Sequence, residues 1–140
     1  MDRSALESIA ARWISLWQGT SLLDAFDDLH APDFIDHDSA NRANDRDGFK
    51  AGLESLYAAF PDFCASIDVM MVDEERQLVA LRWTALGRHA GPFMGFAPSG
   101  RVIRFTGIEI IRIDDGRIAD RWGEWNEGAL LHQLAPADVS

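Results

Sequence analysis

The spacing of apolar residues changes once along this chain, near Cys64, and that change constrains the fold more than any other feature. Before it, apolar side chains recur every three or four residues, which predicts amphipathic helices. After it, they alternate with polar ones, which predicts strands with one buried face. The strand segments are ASIDVMMVDE, QLVALRWTALGRH, RVIRFTGIEIIRI and RIADRWGEWN. Helices followed by consecutive strands indicate an α+β fold and not an alternating α/β pattern.

Three helices are expected before the sheet and one after it. Their predicted ranges are about 4–18, 20–29, 47–60 and 127–134, with a short extended stretch and a polar loop before the third. Long antiparallel strands that curve over helices leave a concave apolar pocket, the usual place for a small-molecule site. We therefore predict a cone: a curved antiparallel sheet packed on N-terminal helices, with a C-terminal helix and an interior cavity.

Length and charge narrow the class of protein. The 140 residues are expected to form a single domain, residues 1–140. Thirteen Lys and Arg against 23 Asp and Glu give a net charge of −10, which disfavours nucleic acid as a partner. Cys64 is the only cysteine, so an internal disulfide is impossible. No signal peptide is visible and no apolar run reaches the roughly 20 residues of a membrane span, so we expect a cytoplasmic protein without membrane contact.

Three segments carry a resemblance to a known family. They are AFPDF (59–63), RWTALGRHAGPFMGFAPSGRVIRFTGIEIIRIDDGRIADRW (82–122) and NEGALLHQL (126–134). They resemble the SnoaL-like polyketide cyclases, or ester cyclases, of the nuclear-transport-factor-2-like superfamily. The pattern G-x-H-x-G-x-F-x-G, the following S-G-R turn and the strand G-R-I-x-x-x-W are the specific features. FIDHD, at 34–38, matches an early segment of the same family.

The resemblance implies a cone whose cavity is closed by helices, and a homodimer formed through the outer face of the sheet. It also implies chemistry without a cofactor, the intramolecular aldol closure of a small apolar polyketide-like methyl ester. That reaction requires a base for a proton alpha to a carbonyl, and donors for the resulting enolate. The wider superfamily also contains isomerases, epoxide hydrolases, dehydratases and binding domains, so the fold alone does not give the function.

The family pattern W-x-x-x-D places an acid/base aspartate four residues after a strand tryptophan. Counted from Trp122, that position here holds Asn126, which cannot act as a base. Strand alternation puts both residues on one face with Asp120 and Glu124, and with Arg112 of the preceding strand. We take this even-numbered face as the cavity wall. Glu124 is then the candidate base, or else a rim glutamate paired with an arginine.

The other candidate site residues each have two interpretations. Asn126 either caps the last helix, which we favour, or donates a hydrogen bond to an enolate oxygen. His37, in FIDHD, matches a family histidine near the cavity mouth and is a second candidate base, or a solvated loop residue. His89 of the glycine-rich loop orients the substrate or holds the loop. Trp122, Asp120, Phe93 and Arg112 complete the expected substrate-binding set.

We predict no metal site, because no H-x-x-x-H or C-x-x-C spacing is present. Three functions remain open on the sequence. The first is cyclisation or isomerisation of a carbonyl compound by general acid–base catalysis. The second is epoxide opening, which requires a carboxylate that activates water and an Arg–Asp network. The third is a non-catalytic ligand-binding or dimerisation domain, in which Asn126 marks the loss of catalysis.

Overall fold

The structure, a computed structural model, describes residues 1–136 apart from the side chain of Ser21. Within this range no helix is long and apolar enough to cross a membrane. Two 3₁₀ segments, Ser15–Trp17 and Thr20–Ala25, connect the first two helices. The elements run α1 (Arg3–Ile14), α2 (Phe26–Leu29), β1 (His30–Asp36), α3 (Arg46–Ala59), β2 (Cys64–Asp73), β3 (Leu78–Arg88), β4 (Val102–Asp114), β5 (Arg117–Trp125) and α4 (Glu127–Leu134).

The sheet has five strands in the order β1-β5-β4-β3-β2, curled but not closed. Strands β2 to β5 pair antiparallel with their neighbours in the chain, as predicted, and the α+β prediction is confirmed. The sequence pattern missed that residues 30–36 join the sheet as an edge strand parallel to β5. Local periodicity cannot reveal this pairing, because β5 lies more than 80 residues further along the chain than β1.

The predicted helices 47–60 and 127–134 form within a residue of their expected ends. The predicted helix 20–29 is instead a 3₁₀ segment followed by the single turn of α2. Apolar spacing over so short a stretch does not separate the two helix types. Helix α3 starts at a cap in which Asp45 accepts a hydrogen bond from the N–H of Gly48.

The inner face of the sheet carries the odd-numbered residues of β4, so the prediction that the even-numbered face forms the cavity wall is wrong. Phe105 and Ile111 are buried in the hydrophobic core, whereas Ile108 and Ile110 are 54% and 38% exposed. Alternation shows that a strand has two faces but does not show which one meets the helices. The sequence pattern likewise puts Gly123 and Trp125 on the outer face, but both line the cavity.

A β-bulge in β5 also breaks the alternation that the sequence suggests. On β5, Asp120 pairs with Arg112 of β4 and Ile118 pairs with Ile113, so Ala119 between them is an extra residue without a partner on β4. Ile118 is therefore fully buried, while Asp120, two residues later, lies on the opposite face. The even-numbered set of β5 thus does not share one face over its whole length.

His30, at the start of β1, is a fully buried histidine that joins two helices to the sheet. Its Nδ1–H donates to the carbonyl of Phe26 at 2.7 Å, and its Nε2 accepts from the indole N–H of Trp13 at 3.0 Å. Both ring nitrogens therefore have a hydrogen-bond partner only in the neutral form of the ring that carries its proton on Nδ1. Burial is the main cause that lowers the pKa of His30 from 6.5 to about 4.

The protein should lose stability in mild acid because of His30. The unfolded chain binds a proton on this ring below about pH 6.5, but the folded chain does so only near pH 4, so the free energy of unfolding falls as the pH is lowered between these values. The expected loss is about 1 kcal/mol between pH 7 and pH 5.5. Urea unfolding at the two pH values measures it.

The variant His30→Gln should lack this component of the pH dependence, although it is less stable at pH 7. His132→Gln, at an exposed position of α4, should retain the wild-type dependence. An equal pH dependence in wild type and His30→Gln would show that the buried ring is not the cause.

Candidate active site

A cavity of about 800 Å³ lies between the inner face of the sheet, helices α1 and α3, and two loops. Its volume is in the range of small-molecule sites, roughly 300–1,000 Å³. Residues 38–43 and 93–94 supply the loop part of its lining, and Glu127 of α4 also lines it. Seven aromatic side chains line it: Trp13, Trp17, Phe49, Phe63, Trp83, Phe93 and Trp125.

One side of the cavity carries a chain of alternating charges. Glu109 accepts two hydrogen bonds from Arg121, at 2.8 Å from Nε and 3.1 Å from Nη2. Nη1 of Arg121 donates to Asp36 Oδ1 at 2.9 Å, and Asp36 Oδ2 accepts from Nη2 of Arg42 at 2.7 Å. Asp36 is 1% and Glu109 6% exposed. Buried charges require such pairing, because an unpaired one costs several kcal/mol.

Three strands and one loop bring these four side chains together. Strand pairing sets Glu109 of β4 opposite Gly123 of β5, and Asp36 of β1 beside Arg121. A methyl group on Gly123 would overlap both the Glu109 carboxylate and the Arg121 guanidinium. The glycine therefore provides the space in which the ion pair lies across the sheet.

The guanidinium groups of both arginines also lie near one aromatic ring. The central carbons of Arg121 and Arg42 are 5.2 Å and 5.8 Å from the ring centroid of Phe49. Contact of this kind stabilises a desolvated cation by about 0.5–2 kcal/mol. Phe49 of α3 thus connects the charged chain to the helix that covers the cavity.

Burial has opposite effects on the two partners of the main ion pair. It raises the pKa of Glu109 above its usual value, and the positive charge of Arg121 offsets this only in part. Burial also works to lower the pKa of Arg121, but the carboxylates of Glu109 and Asp36 outweigh it and hold that pKa above its usual range. The pair therefore combines a permanently charged arginine with a carboxyl group that takes up a proton more readily than an exposed glutamate.

Four of the predicted site residues meet on the outer face of the sheet. The ring of His37 stacks on Trp122 at 4.5 Å, and its Nε2 lies 2.9 Å from Oδ1 of Asp120. Oδ2 of Asp120 accepts from Nε of Arg112 at 2.6 Å. Burial works to raise the pKa of Asp120, but these two hydrogen bonds outweigh it and lower that pKa. These four residues, expected to act on a substrate, thus lie together on the side of the sheet opposite the cavity.

Glu124 and Asn126 lie on the outer face as well, beside a shallow pocket with Arg82 and Thr106. The preferred interpretation of Asn126 is confirmed, because its side chain accepts a hydrogen bond from the N–H of Ala129 and caps α4. The role of Glu124 as a base stays a prediction. The sheet itself lies between the Glu124 side chain and the aromatic cavity.

The remaining two predicted residues lie in or near the long loop after β3. Phe93 lines the cavity and contacts the ring of Trp125, at 6.0 Å between centroids. His89 is fully buried, and its Nδ1 accepts from the N–H of Ser99 at 3.3 Å. Its Nε2 has no hydrogen-bond partner within the described residues. His89 does not line the cavity, and its role in orienting a substrate stays a prediction.

Sequence reasoning missed Glu109, Arg121 and Asp36, although the sequence carries a signal for Glu109 and for Asp36. On β4 the polar residues Arg104, Thr106 and Arg112 share one face of the strand. Glu109 is the only charged residue on the other face. Asp36 follows the buried Phe34 at a spacing of two and so shares its face. A charged residue at a core-facing position indicates either a buried ion pair or a functional group.

A sequence model of the SnoaL-like polyketide cyclases matches residues 7–134. No curated protein sequence matches the chain significantly. Among solved structures, IdmH from Streptomyces antibioticus, a proposed polyketide cyclase, is 29% identical, with a TM-score of 0.80 over 92% of this chain and 97% of that one.

Two further solved structures share the fold. AclR from Streptomyces galilaeus, a proposed hydroxylase, is 25% identical, with a TM-score of 0.84 over 96% of this chain and all of that one (100%). A proposed polyketide cyclase from Acidithiobacillus ferrooxidans is 24% identical, with a TM-score of 0.80 over 96% and 97% of the two chains. The neighbours thus include proteins assigned to more than one reaction.

Replacing Gly123 with alanine should disrupt the ion pair that lies over it. The added methyl group displaces Glu109 and Arg121, and overpacking of this kind costs about 1–3 kcal/mol in the free energy of unfolding. Gly128→Ala in α4 is the control, since nothing restricts a methyl group there and alanine favours the helix by up to about 1 kcal/mol. Unfolding in urea measures both variants. Wild-type stability in Gly123→Ala would contradict the described position of the pair.

Proposed function

The chain belongs to the SnoaL-like polyketide cyclase family, and on that premise we propose that its cavity binds a small, mainly apolar carbonyl compound and catalyses its cyclisation or isomerisation. The reaction is general acid–base catalysis without a cofactor: removal of a proton alpha to a carbonyl, followed by intramolecular aldol closure of a polyketide-like ester. The aromatic lining and the volume of the cavity support a planar ligand of this kind.

The single observation that carries the proposal is the buried Glu109 on the cavity wall. Its raised pKa suits a residue that takes a proton from carbon and later returns it to oxygen. Arg121 holds both carboxylate oxygens and so fixes the direction of the group. Glu124, the base expected from the sequence, lies on the outer face, and we therefore place the base at Glu109.

The proposed reaction has three steps. Glu109 takes the α-proton, and the electron pair of the C–H bond forms an enolate. The enolate carbon attacks a second carbonyl of the same molecule and forms a C–C bond, which leaves an alkoxide. The alkoxide takes the proton back from Glu109, so that the enzyme returns to its starting state. Isomerisation differs only in that the proton returns to another carbon.

Epoxide opening is a second candidate, because a specific observation favours it. Glu109, Arg121 and Asp36 form the carboxylate–arginine–carboxylate network that activation of a water molecule requires. One carboxylate would take a proton from water while the other, protonated, gives one to the epoxide oxygen.

A third possibility is that the cone binds a ligand without converting it. Asn126, at the family's aspartate position, gave rise to this hypothesis, and Glu109 argues against it. Glu109 lines the cavity and its pKa is raised, as a general base requires. Measured exchange of substrate protons separates the two functions directly.

We also propose that the protein forms a homodimer through the outer face of the sheet. Five large apolar side chains are exposed there, which is unusual for a monomer's surface. They are Val69, Met71, Ile108, Ile110 and Trp122. Ile110→Arg should yield a monomer in sedimentation equilibrium. Leu131→Arg, at an equally exposed position of α4, should leave the dimer intact, and a monomeric wild type would exclude this interface.

Glu109→Gln should abolish proton–deuterium exchange at the α-carbon of bound substrates. The expected loss in rate is about 100- to 10,000-fold, the usual contribution of a general base. Exchange is followed by NMR in heavy water on a panel of β-ketoesters and small polyketide methyl esters. The wild-type rate should rise with pH through an apparent pKa above that of an ordinary glutamate, about 4.3, because Glu109 must be deprotonated to act.

Glu124→Gln is the matched control and should exchange at the wild-type rate, since its carboxylate does not reach the cavity. Loss of exchange in Glu124→Gln with retention in Glu109→Gln would return the base to the outer face. A wild type that exchanges no substrate proton but opens epoxides to diols would select the second function. Binding with neither reaction would select the third.

A further inference from the structure

An enolate requires a donor as well as a base, and Arg121 does not provide it. Its Nε and Nη2 donate to Glu109, and its Nη1 donates to Asp36 and, at 3.5 Å, to the carbonyl of Asp38. Using these donors for a substrate would leave a buried carboxylate unpaired. The following inference rests on the proposed function and concerns the other end of the charged chain.

Arg42 lies at that other end and lines the same cavity. Within the described residues its guanidinium donates one hydrogen bond, from Nη2 to Asp36, while Nε and Nη1 donate to no protein acceptor. Its side chain is 36% exposed, as expected for a group at the cavity mouth. A guanidinium offers five N–H donors, so a ligand oxygen can be bound without breaking the contact to Asp36.

The position of Arg42 is fixed from three sides. Asp36 holds one edge of its guanidinium, and the ring of Phe49 lies 5.8 Å from its central carbon. A methyl group on Gly52 of α3 would come within 2.5 Å of Nη1 and 2.7 Å of Cδ. The absence of a side chain at Gly52 therefore allows the arginine to lie directly against the helix. A donor held in this way needs little rearrangement when charge develops on a substrate.

We propose that Arg42 is a catalytic residue that binds the carbonyl oxygen of the substrate and stabilises the negative charge which that oxygen gains on enolisation. As Glu109 takes the α-proton, the C–H electron pair moves into the C–C–O system and the oxygen becomes an enolate. The guanidinium remains protonated throughout and only donates hydrogen bonds. The base and the donor are thus the two ends of one chain, Glu109–Arg121–Asp36–Arg42.

Besides the carboxylates of Asp38 and Glu127, two neutral polar side chains line the cavity, Asn41 and Ser55. Both are neutral, and hydrogen bonds from a charged donor to an oxyanion are about twice as strong as neutral ones. They therefore serve as controls for a polar cavity wall without a charge. Ser55→Ala removes a hydroxyl group of α3 and leaves the arginine in place.

The first test is kinetic. Arg42→Gln should reduce the rate constant of α-proton exchange by about 100- to 1,000-fold, the usual effect of losing one oxyanion donor, with a much smaller change in KM. Arg42→Lys should recover part of the rate, because the charge returns without the second donor. Ser55→Ala should exchange at nearly the wild-type rate. Equal rates in wild type and Arg42→Gln would overturn the proposal.

The second test needs no turnover. The probe 2-phenylindane-1,3-dione is an enolate at neutral pH, whereas its 2-methyl derivative is neutral and cannot enolise. The wild type should bind the enolate more tightly than the methylated compound, and Arg42→Gln should lose about 10- to 100-fold of that preference. Gly52→Ala, which displaces the arginine, should lose part of it as well.

The two tests separate failure of this inference from failure of the proposed function. Exchange that requires Glu109 but not Arg42, with an unchanged preference for the enolate in Arg42→Gln, would refute the donor role and leave the function standing. If the enolate preference depends on Arg42 but the protein catalyses no α-proton exchange, the proposed function is refuted and Arg42 remains an oxyanion-binding residue. A wild type that shows no enolate preference would overturn the inference by itself.

Discussion

The structure depends on three buried charges of alternating sign, Glu109, Arg121 and Asp36, with Arg42 paired to them at the cavity mouth. Taking each of these groups out of water costs several kcal/mol, and only the neighbouring charge and its hydrogen bonds offset that cost. Removing one member of such a set usually destabilises a protein by about 3–5 kcal/mol, because a buried charge is left without a partner. The network therefore stabilises one arrangement of β1, β4, β5 and the loop before α3 over all others.

This constraint explains why the cavity has its particular shape. Two glycines, Gly123 on the sheet and Gly52 on α3, make room for the two arginines, and Phe49 packs against both guanidinium groups. The parallel edge strand β1 brings Asp36 beside Arg121, and the loop that follows it supplies Arg42. The same contacts that close one end of the cone thus place a proton acceptor and a charged donor on one wall of an aromatic cavity.

Much of the fold could be predicted from local pattern, since helix and strand periods are properties of short segments. Strands β2 to β5 and helices α3 and α4 were predictable for this reason, and the family could be identified from its glycine-rich loop. The candidate site could not be predicted in the same way. Choosing the wrong face of β4 and β5 led to Glu124 as the base, and the bulge at Ala119 added a second error of register.

The sequence by itself determined the order of the elements, the α+β class, the family, and the cap that Asn126 provides, because each depends on residues close together in the chain. Only the tertiary structure decided which face of the sheet is buried and which carboxylate faces the cavity. Asp36 and Arg121 are 85 residues apart in sequence, yet their side chains lie 2.9 Å apart. A contact of that kind follows from the packing of the sheet against the helices, and no local pattern records it.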